Sequence, residues 1–576
     1  MDQESINVIK WYPFKENATI LQIGCNSTEL LRELCNKMQK VTLIVNSETK
    51  KNQTLQRLSN SNQKIENNIE IIVIENLEEI SKTKEQYDYV SLIGTVKEYQ
   101  DYNGDNAKQI LQTLIKTSKN LCKDDGKILL AIDNKYGMKF WTTLYSQKNI
   151  ICNKNFAVSK TEINDILEKE NLENYKYYYL LPDYKKINVI FTDKYLPNVE
   201  SITRDFTYGE EEFANFNEVE AFVEILKENQ ELFKFFANSY FVEITKKELK
   251  DNGIKFVSFT NIRKEEYRII TTIYNDRIEK TFCNDKARAH IEQIKNNIDI
   301  MNKIQIRTLD TYQNDKIISK YIENGKSYDK ILLELLKENK NEEFFKVIEN
   351  FKQEVAQKLK KVNYETIKDN NVFKKYNIEC NEEQLKKLHF VKYGLWDLIF
   401  QNTFYLDNKM YFYDQEWYED NIPIEFIIYR TIAYFPSAHS YIPTMELYKT
   451  LCLDKYLELF KLLDSKLQEK IRNNEIWQKH NRTRTGQTLM DLYYNLQKEF
   501  DAYKNKYENV EKQKIFEEVE ELENRNNELK SNNELLENEN NKLKSEISKL
   551  SEINNLMVNS KSWKITEPLR WLRKKF

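Results

Sequence analysis

The sequence predicts an α/β doubly wound domain, then an α+β bilobal domain, then a long parallel α-helical coiled coil. Over residues 1–200 short apolar runs alternate with helical periods, the pattern of βαβ units around a parallel sheet. From Phe256 the runs come as hairpin pairs and then give way to helices. Beyond residue 500 one apolar position recurs at a strict interval of seven.

Strands of the first module are expected at 19–23, 41–45, 69–74, 87–93 and 127–132, with amphipathic stretches between them. Residues 201–250, rich in Glu, Phe and Asn at helical spacing, read as a helical connector. The second module, 251–500, opens with strands at 255–259, 267–274 and 277–282. It continues into a helix from about Lys286 and carries one further hairpin near 403–414 among helices. In the third part, 501–557, Ile515, Leu522, Leu529, Leu536, Leu543, Leu550 and Met557 keep one seam of a helix facing a partner helix. The companion seam, Val519, Asn526, Asn533, Asn540, Ile547 and Asn554, carries Asn at positions that fix register and favour a parallel pair, so a second copy of the chain is an expected partner. Residues 558–576 form a basic aromatic tail. Within it, 561–576 hold six Lys/Arg against one Glu, which suits the anionic inner face of a membrane or an acidic partner.

Composition narrows the function. At 576 residues the chain is too long for one core. A formal net charge of −3 with 12% aromatic residues fits a globular body without a global basic footprint, so nucleic acid is not an expected partner. Seven cysteines stand singly and four histidines form no HExxH helix, which argues against a disulfide framework, a zinc ribbon or a His-ligated transition metal. The N-terminus, Met1-Asp2-Gln3-Glu4, is acidic, and no stretch offers about 18 uncharged apolar residues. The expected location is cytoplasmic, with peripheral attachment to the inner membrane face through the tail.

A doubly wound sheet binds its nucleotide-type cofactor where the first strand ends in a glycine turn, because side chains there would block backbone approach. The turn here is Gly24-Cys25-Asn26. Gly24 stands alone where three alternate glycines are usual, Gln22 stands where an acid is common, and Asn46 ends the second strand where a carboxylate normally grips ribose hydroxyls. Gly94 ends the fourth strand. Gly24, Asn26, Asn46 and Gly94 are the candidate cofactor contacts of this module.

Phosphoryl transfer needs a cation on the nucleotide phosphates, side chains to hold magnesium, and a carboxylate aimed at the acceptor hydroxyl. Lys280 sits at the end of a strand, and Glu292 follows on a helix as its expected ion-pair partner. Tyr321, Ile322 and Glu323 follow another strand, where backbone groups could face an adenine as a lobe-connecting hinge does. In Trp396-Asp397-Leu398-Ile399-Phe400-Gln401-Asn402 the D-x-x-x-x-N spacing makes Asp397 the proton acceptor and Asn402 a metal ligand. Beyond a turn at Asp407-Asn408, Asp414 of Asp414-Gln415-Glu416 is the second metal ligand. ATP and Mg2+ are the expected cofactors. Thr260-Asn261-Ile262-Arg263-Lys264-Glu265-Glu266 stands where a glycine-rich loop would cover the phosphates, with Arg263 or Lys264 as the expected contact. Leu395 stands where a His usually braces the catalytic Asp.

Resemblances attach to these residues. Trp11-Tyr12-Pro13-Phe14, Leu92-Ile93-Gly94, the run from Ala131 to Trp141, and Leu181-Pro182-Asp183-Tyr184-Lys185 resemble a family of bacterial methyltransferase-like proteins found with surface-polysaccharide glycosyltransferases. That resemblance implies a class I, Rossmann-like methyltransferase domain over 1–200 and S-adenosylmethionine as its cofactor. The D-x-E segment is similar to that of small-molecule kinases of the choline and aminoglycoside type, which implies a protein-kinase-like fold and a small or glycan hydroxyl acceptor. The ending Ser562-Trp563 to Pro568-Leu569-Arg570 is similar to that of many bacterial glycosyltransferases of surface-glycan clusters. In its order of parts the chain resembles the bifunctional O-antigen chain-terminating methyltransferase/kinase family. This implies a transferase of cell-surface polysaccharide biosynthesis or chain capping, with glycosyltransferases or a lipid-linked glycan as partners. The competing readings are a catalytically degenerate coiled-coil scaffold that organises glycosyltransferases at the membrane, and an antibiotic- or metabolite-directed small-molecule kinase.

Overall fold

A computed structural model of the chain describes residues 6–24, 27–59, 68–81, 85–99, 107–142, 156–199, 201–202, 216–322, 325–407, 409–477 and 512–560. They belong to two units, 1–485 and 486–576. Five apolar runs of the first unit become the parallel strands β1 (Thr19–Ile23), β2 (Lys40–Val45), β3 (Ile69–Val73), β4 (Tyr87–Ile93) and β5 (Cys122–Asp133). Their order, β3-β2-β1-β4-β5, is the doubly wound, Rossmann-like one. The helix Thr28–Lys37 buries Leu30 and Leu34 on the face of Ile20, and the helix Ala107–Leu121 buries Ile110, Leu111 and Leu114 on the opposite face of Leu21 and Ile23. The inner strands β1, β2 and β4 are buried at nearly every position, so they read as largely apolar runs in the sequence.

The next strands were not visible in the sequence. β6 (Asn174–Pro182) and β7 (Ile187–Thr192) form an antiparallel hairpin, and residues 201–250 do more than connect. After the helix Phe216–Glu228 the chain returns as β8 (Ser239–Thr245), buried at all seven positions and antiparallel between β5 and β6. The run Ser-Tyr-Phe-Val-Glu-Ile-Thr is short and shows no alternation because both its faces are covered. Tertiary pairing, not period, decides it.

The second module continues the same sheet. β9 (Phe256–Phe259) pairs antiparallel with β7, followed by β10 (Ile269–Ile273), β11 (Arg277–Phe282), β12 (Asp310–Gln313) and β13 (Lys316–Lys320). The whole is one thirteen-stranded sheet in the order β12-β13-β11-β10-β9-β7-β6-β8-β5-β4-β1-β2-β3. The helix Arg288–Lys303 packs Ile291, Ile294 and Ile298 against Ile269 and Ile317. Beyond β13 the chain is mainly helical, with Tyr328–Lys337, Asn341–Lys358, Ile424–Ala433 and Leu457–Ile471 gathered around a core that includes Phe351, Phe400 and Phe426. Two small ladders interrupt the helices: β14 (Phe390–Val391) with β17 (Ile422–Pro423), and the hairpin of β15 (Thr403–Leu406) with β16 (Lys409–Phe412).

The second unit holds one 48-residue helix, Lys512–Asn559. Leu522, Leu529, Leu536, Leu543 and Leu550 of the heptad are all more than half exposed on it. The basic tail at 561–576 lies outside the described residues. Among the described residues no helix is long and apolar enough to cross a membrane.

Candidate functional site

A doubly wound sheet keeps its ligand crevice at the carboxyl ends of its strands, where the strand order reverses, here at β1 and β4. Gly24 and Gly94 follow these strands in the left-handed region, at φ +77° and +69°. Here Glu98 packs against the Gly24 turn. Glu98, in the short helix Val96–Tyr99, has a fully covered side chain, and its Oε2 lies 2.8 Å from where a Cβ on Gly24 would stand. Its Oε1 meets Lys50 Nζ at 3.1 Å, and its backbone carbonyl accepts from Asn46 Nδ2 at 3.1 Å. The Asn46 amide nitrogen is thus engaged within the chain. Gln22 Nε2 likewise donates to Ile23 O and Gly24 O, at 3.2 and 2.9 Å. Asn26 lies outside the described residues. No feature of the local sequence marks Glu98, because its role arises only from the approach of the β4 end to the β1 turn.

In the second module four predicted residues are brought into one cluster. β11 delivers Lys280, whose ammonium ion-pairs Asp414 and lies 2.8 Å from Glu416 Oε1. Asp414, just past β16, adopts φ +60°, a conformation that Asp reaches more readily than most residues. Its N–H donates to Asp310 Oδ2 at 2.8 Å. Asn402 Nδ2 reaches the backbone carbonyls of Asp397 at 3.3 Å and Asp414 at 3.5 Å, and Gln415 Nε2 donates to Asp397 O at 2.8 Å. The D-x-x-x-x-N segment and the D-x-E segment are therefore tied together by side-chain amides.

Glu292 is not part of this cluster. It lies exposed and pairs with Lys295 at 2.6 Å, off the buried stripe of its helix formed by His290, Ile291, Ile294, Asn297 and Ile298. That helix turns His290 inward instead, 3.4 Å from Glu416 and stacked on Trp417 at 4.6 Å. Glu416, 3% exposed, takes over as partner of Lys280 and also receives the Arg263 guanidinium. Burial alone would raise its carboxyl, but Arg263 and Lys280 outweigh that and hold it well below the ordinary carboxylate range.

Asp397 is buried, and burial pushes its carboxyl up to about 6 against the opposing Arg430 guanidinium at 3.1 Å. Arg430 comes from the helix Ile424–Ala433, lies over the Trp396 ring at 4.3 Å and also pairs with Asp464. It braces Asp397 where the buried apolar Leu395 cannot. The signal for it is a lone Arg in the run Ile-Glu-Phe-Ile-Ile-Tyr-Arg-Thr-Ile-Ala, since a charge in an apolar helix is buried only when paired. At the segment expected to act as a hinge, the Tyr321 N–H donates to Asp276 O at 3.2 Å and the Ile322 carbonyl accepts from the Gly325 N–H at 3.3 Å, so these two groups are engaged within the chain. Glu323 lies outside the described residues.

Asn402, Asp414 and Glu416 present oxygen donors of the kind magnesium takes. Magnesium binds through one or two carboxylates plus substrate phosphates and needs no closed protein cage. Among the described residues no group of three or more His, Cys, Asp or Glu side chains could form such a cage.

No protein-family model and no curated protein matches the chain. Solved structures that it resembles include N-methyltransferase NodS from Bradyrhizobium japonicum WM9 in complex with S-adenosyl-L-homocysteine, at 15% identity and a TM-score of 0.17. That match covers 21% of this chain and 55% of NodS, about half its length. A SAM-dependent methyltransferase from Thermotoga maritima, described as a possible histamine N-methyltransferase, matches at 14% identity and a TM-score of 0.26, over 42% of this chain and 88% of that one. The phosphoethanolamine N-methyltransferase 2 of Haemonchus contortus, in complex with phosphomonomethylethanolamine and S-adenosylhomocysteine, matches at 15% identity and a TM-score of 0.26, over 42% and 52%. With every one of these scores far below 0.5, the Rossmann-like character of the first module rests on its own strand order.

Proposed function

We propose that the chain is an ATP-dependent phosphotransferase acting on a sugar or small-molecule hydroxyl, carried beside a methyltransferase-like module whose cofactor crevice Glu98 closes. The observation that carries this reading is the meeting of Lys280, Asn402 and Asp414 beside Asp397. Lys280 supplies the cation for the phosphates, and Asn402 with Asp414 would hold magnesium, which when bound neutralises charge on the transferring phosphoryl group. Asp397, oriented by Arg430, accepts the proton of the attacking hydroxyl. The resemblance to surface-polysaccharide enzymes favours a glycan acceptor, with glycosyltransferases or a lipid-linked glycan as partners. In this reading the helix Lys512–Asn559 pairs with its copy, and the basic tail seats the pair on the inner membrane face.

The scaffold reading keeps two observations in its favour: Glu98 packs against the Gly24 turn of the first module, and in the second Lys280 spans both acids of the D-x-E segment. Calorimetric titration of ATP into the full chain, with and without magnesium, separates the two. Binding that requires magnesium and vanishes in Asp414→Ala is expected. A wild-type chain without magnesium-dependent binding leaves only the scaffold.

A further inference from the structure

The loop Thr260–Glu266, between β9 and β10, contains no glycine and yet brings Arg263 to Glu416 in the cleft. The first module holds it there. Asn261, 5% exposed, donates through Nδ2 to Ile187 O at 2.9 Å and Asn188 Oδ1 at 2.7 Å, and its Oδ1 accepts from Asn7 Nδ2 at 3.3 Å. Asn7 also donates to Ile187 O at 3.2 Å. Asn188 lies on β7, which pairs with β9 through Val189 opposite Ser258, so the amides lock the loop to the edge that the two modules share. From the other side, the Lys264 N–H donates to Ile471 O and the Asn473 N–H to Ile262 O, both at 2.9 Å. A loop held at both ends has little freedom left, and a buried amide cluster with its partners satisfied specifies one arrangement.

We infer that the first module acts as a positioning device for the phosphotransfer cleft: Asn7 and Asn188 hold Asn261, and through it Arg263, in the place that a glycine-rich loop would otherwise fill. This rests on the phosphotransfer reading above. It gives the methyltransferase-like module a use that does not depend on its own crevice. Asn7, Asn188 and Asn261 are positioning residues, since none of them touches the cleft.

The test uses the full chain and the variants Asn188→Ala and Asn7→Ala. Losing the hydrogen bond that fixes the loop is expected to raise the KM for magnesium–ATP about fivefold to tenfold in Asn188→Ala, and less in Asn7→Ala, with kcat per folded molecule nearly unchanged. A merely structural role would lower the melting temperature and the yield of active protein while leaving KM alone, and that result overturns the inference. Hydrogen exchange reads the anchor without nucleotide. The Arg263 and Lys264 amides should exchange faster in either variant, and equal exchange in a folded variant also overturns it. If wild-type chain binds no magnesium–ATP while the variants still loosen the loop, the phosphotransfer reading has failed and the anchor has not. Should Asn188→Ala not fold, Asn7→Ala carries both measurements.

Discussion

A base must be ionised before it can take a proton, and burial lifts Asp397 to about 6. Phosphotransfer should therefore rise as pH passes through about 6 and level off above it, and Asp397→Asn should lower kcat by about 10²–10⁴-fold while ATP still binds. Initial rates from about pH 5 to 8 check this, and a profile flat through 6 removes Asp397 as the base. Glu218 belongs to stability instead. It is 1% exposed, and burial pushes it up to about 8 against the hydrogen bond donated by Asn238. An unfolded Glu titrates near ~4.3, so between these values the folded chain holds a proton that the unfolded chain releases. Its contribution is intact below about 4.3 and is lost as pH rises through 8. Glu218→Gln stays neutral, so it should match wild type near pH ~4 and exceed it by about 2–4 kcal/mol at pH ~8 in denaturant melts. The site residues legible in the sequence are those with local spacing: Asp397 and Asn402 lie on one short segment, and Asp414 and Glu416 just past one strand. Arg430, His290 and Asp310 enter from distant elements, and nothing in their neighbourhoods says which cleft they face. Glu292 misled for the same reason, since helical spacing gives a face but not the side that the cleft will occupy.

Among the elements, the parallel strands were legible as apolar runs and the heptad helix by its period, whereas β6, β7 and β8 were not. β8 shows why: it is a seven-residue run inside a stretch of helical composition, and its place between β5 and β6 depends on partners more than a hundred and about sixty residues upstream. The helix Lys512–Asn559 poses the opposite problem, a strong period with its seam exposed on a single chain. Burying a leucine is worth about 1.5–3 kcal/mol, so pairing Leu522, Leu529, Leu536, Leu543 and Leu550 across two helices outweighs the Asn positions of the companion seam. The full chain should sediment as a dimer at micromolar concentration. Leu536→Asp with Leu543→Asp should give monomers whose first unit melts unchanged. A wild-type chain that already sediments as a monomer removes the coiled coil.

For the molecule as a whole, the boundary expected at residue 250 runs through shared structure. β7 pairs with β9 across it, and one apolar cluster joins Ile9, Trp11, Tyr178, Ile187 and Ile190 on one side to Ile254, Val257, Phe259 and Ile270 on the other. At about 1.5–3 kcal/mol each, the four residues beyond 250 contribute an amount comparable to the whole stability of a typical domain, about 5–15 kcal/mol. A chain ending at residue 250 would also leave the β7 edge unpaired, a template for association with other chains. Residues 1–250 alone are therefore expected to aggregate or to melt far below the full chain. The full chain should lose the first module and the β9–β13 strands in one calorimetric transition, while a paired helix melts separately with a midpoint that depends on concentration. A soluble 1–250 fragment with its own cooperative transition at the temperature of the full chain would mean that the sheet is continuous only in geometry, and that the two modules fold as independently as their sequences first suggest.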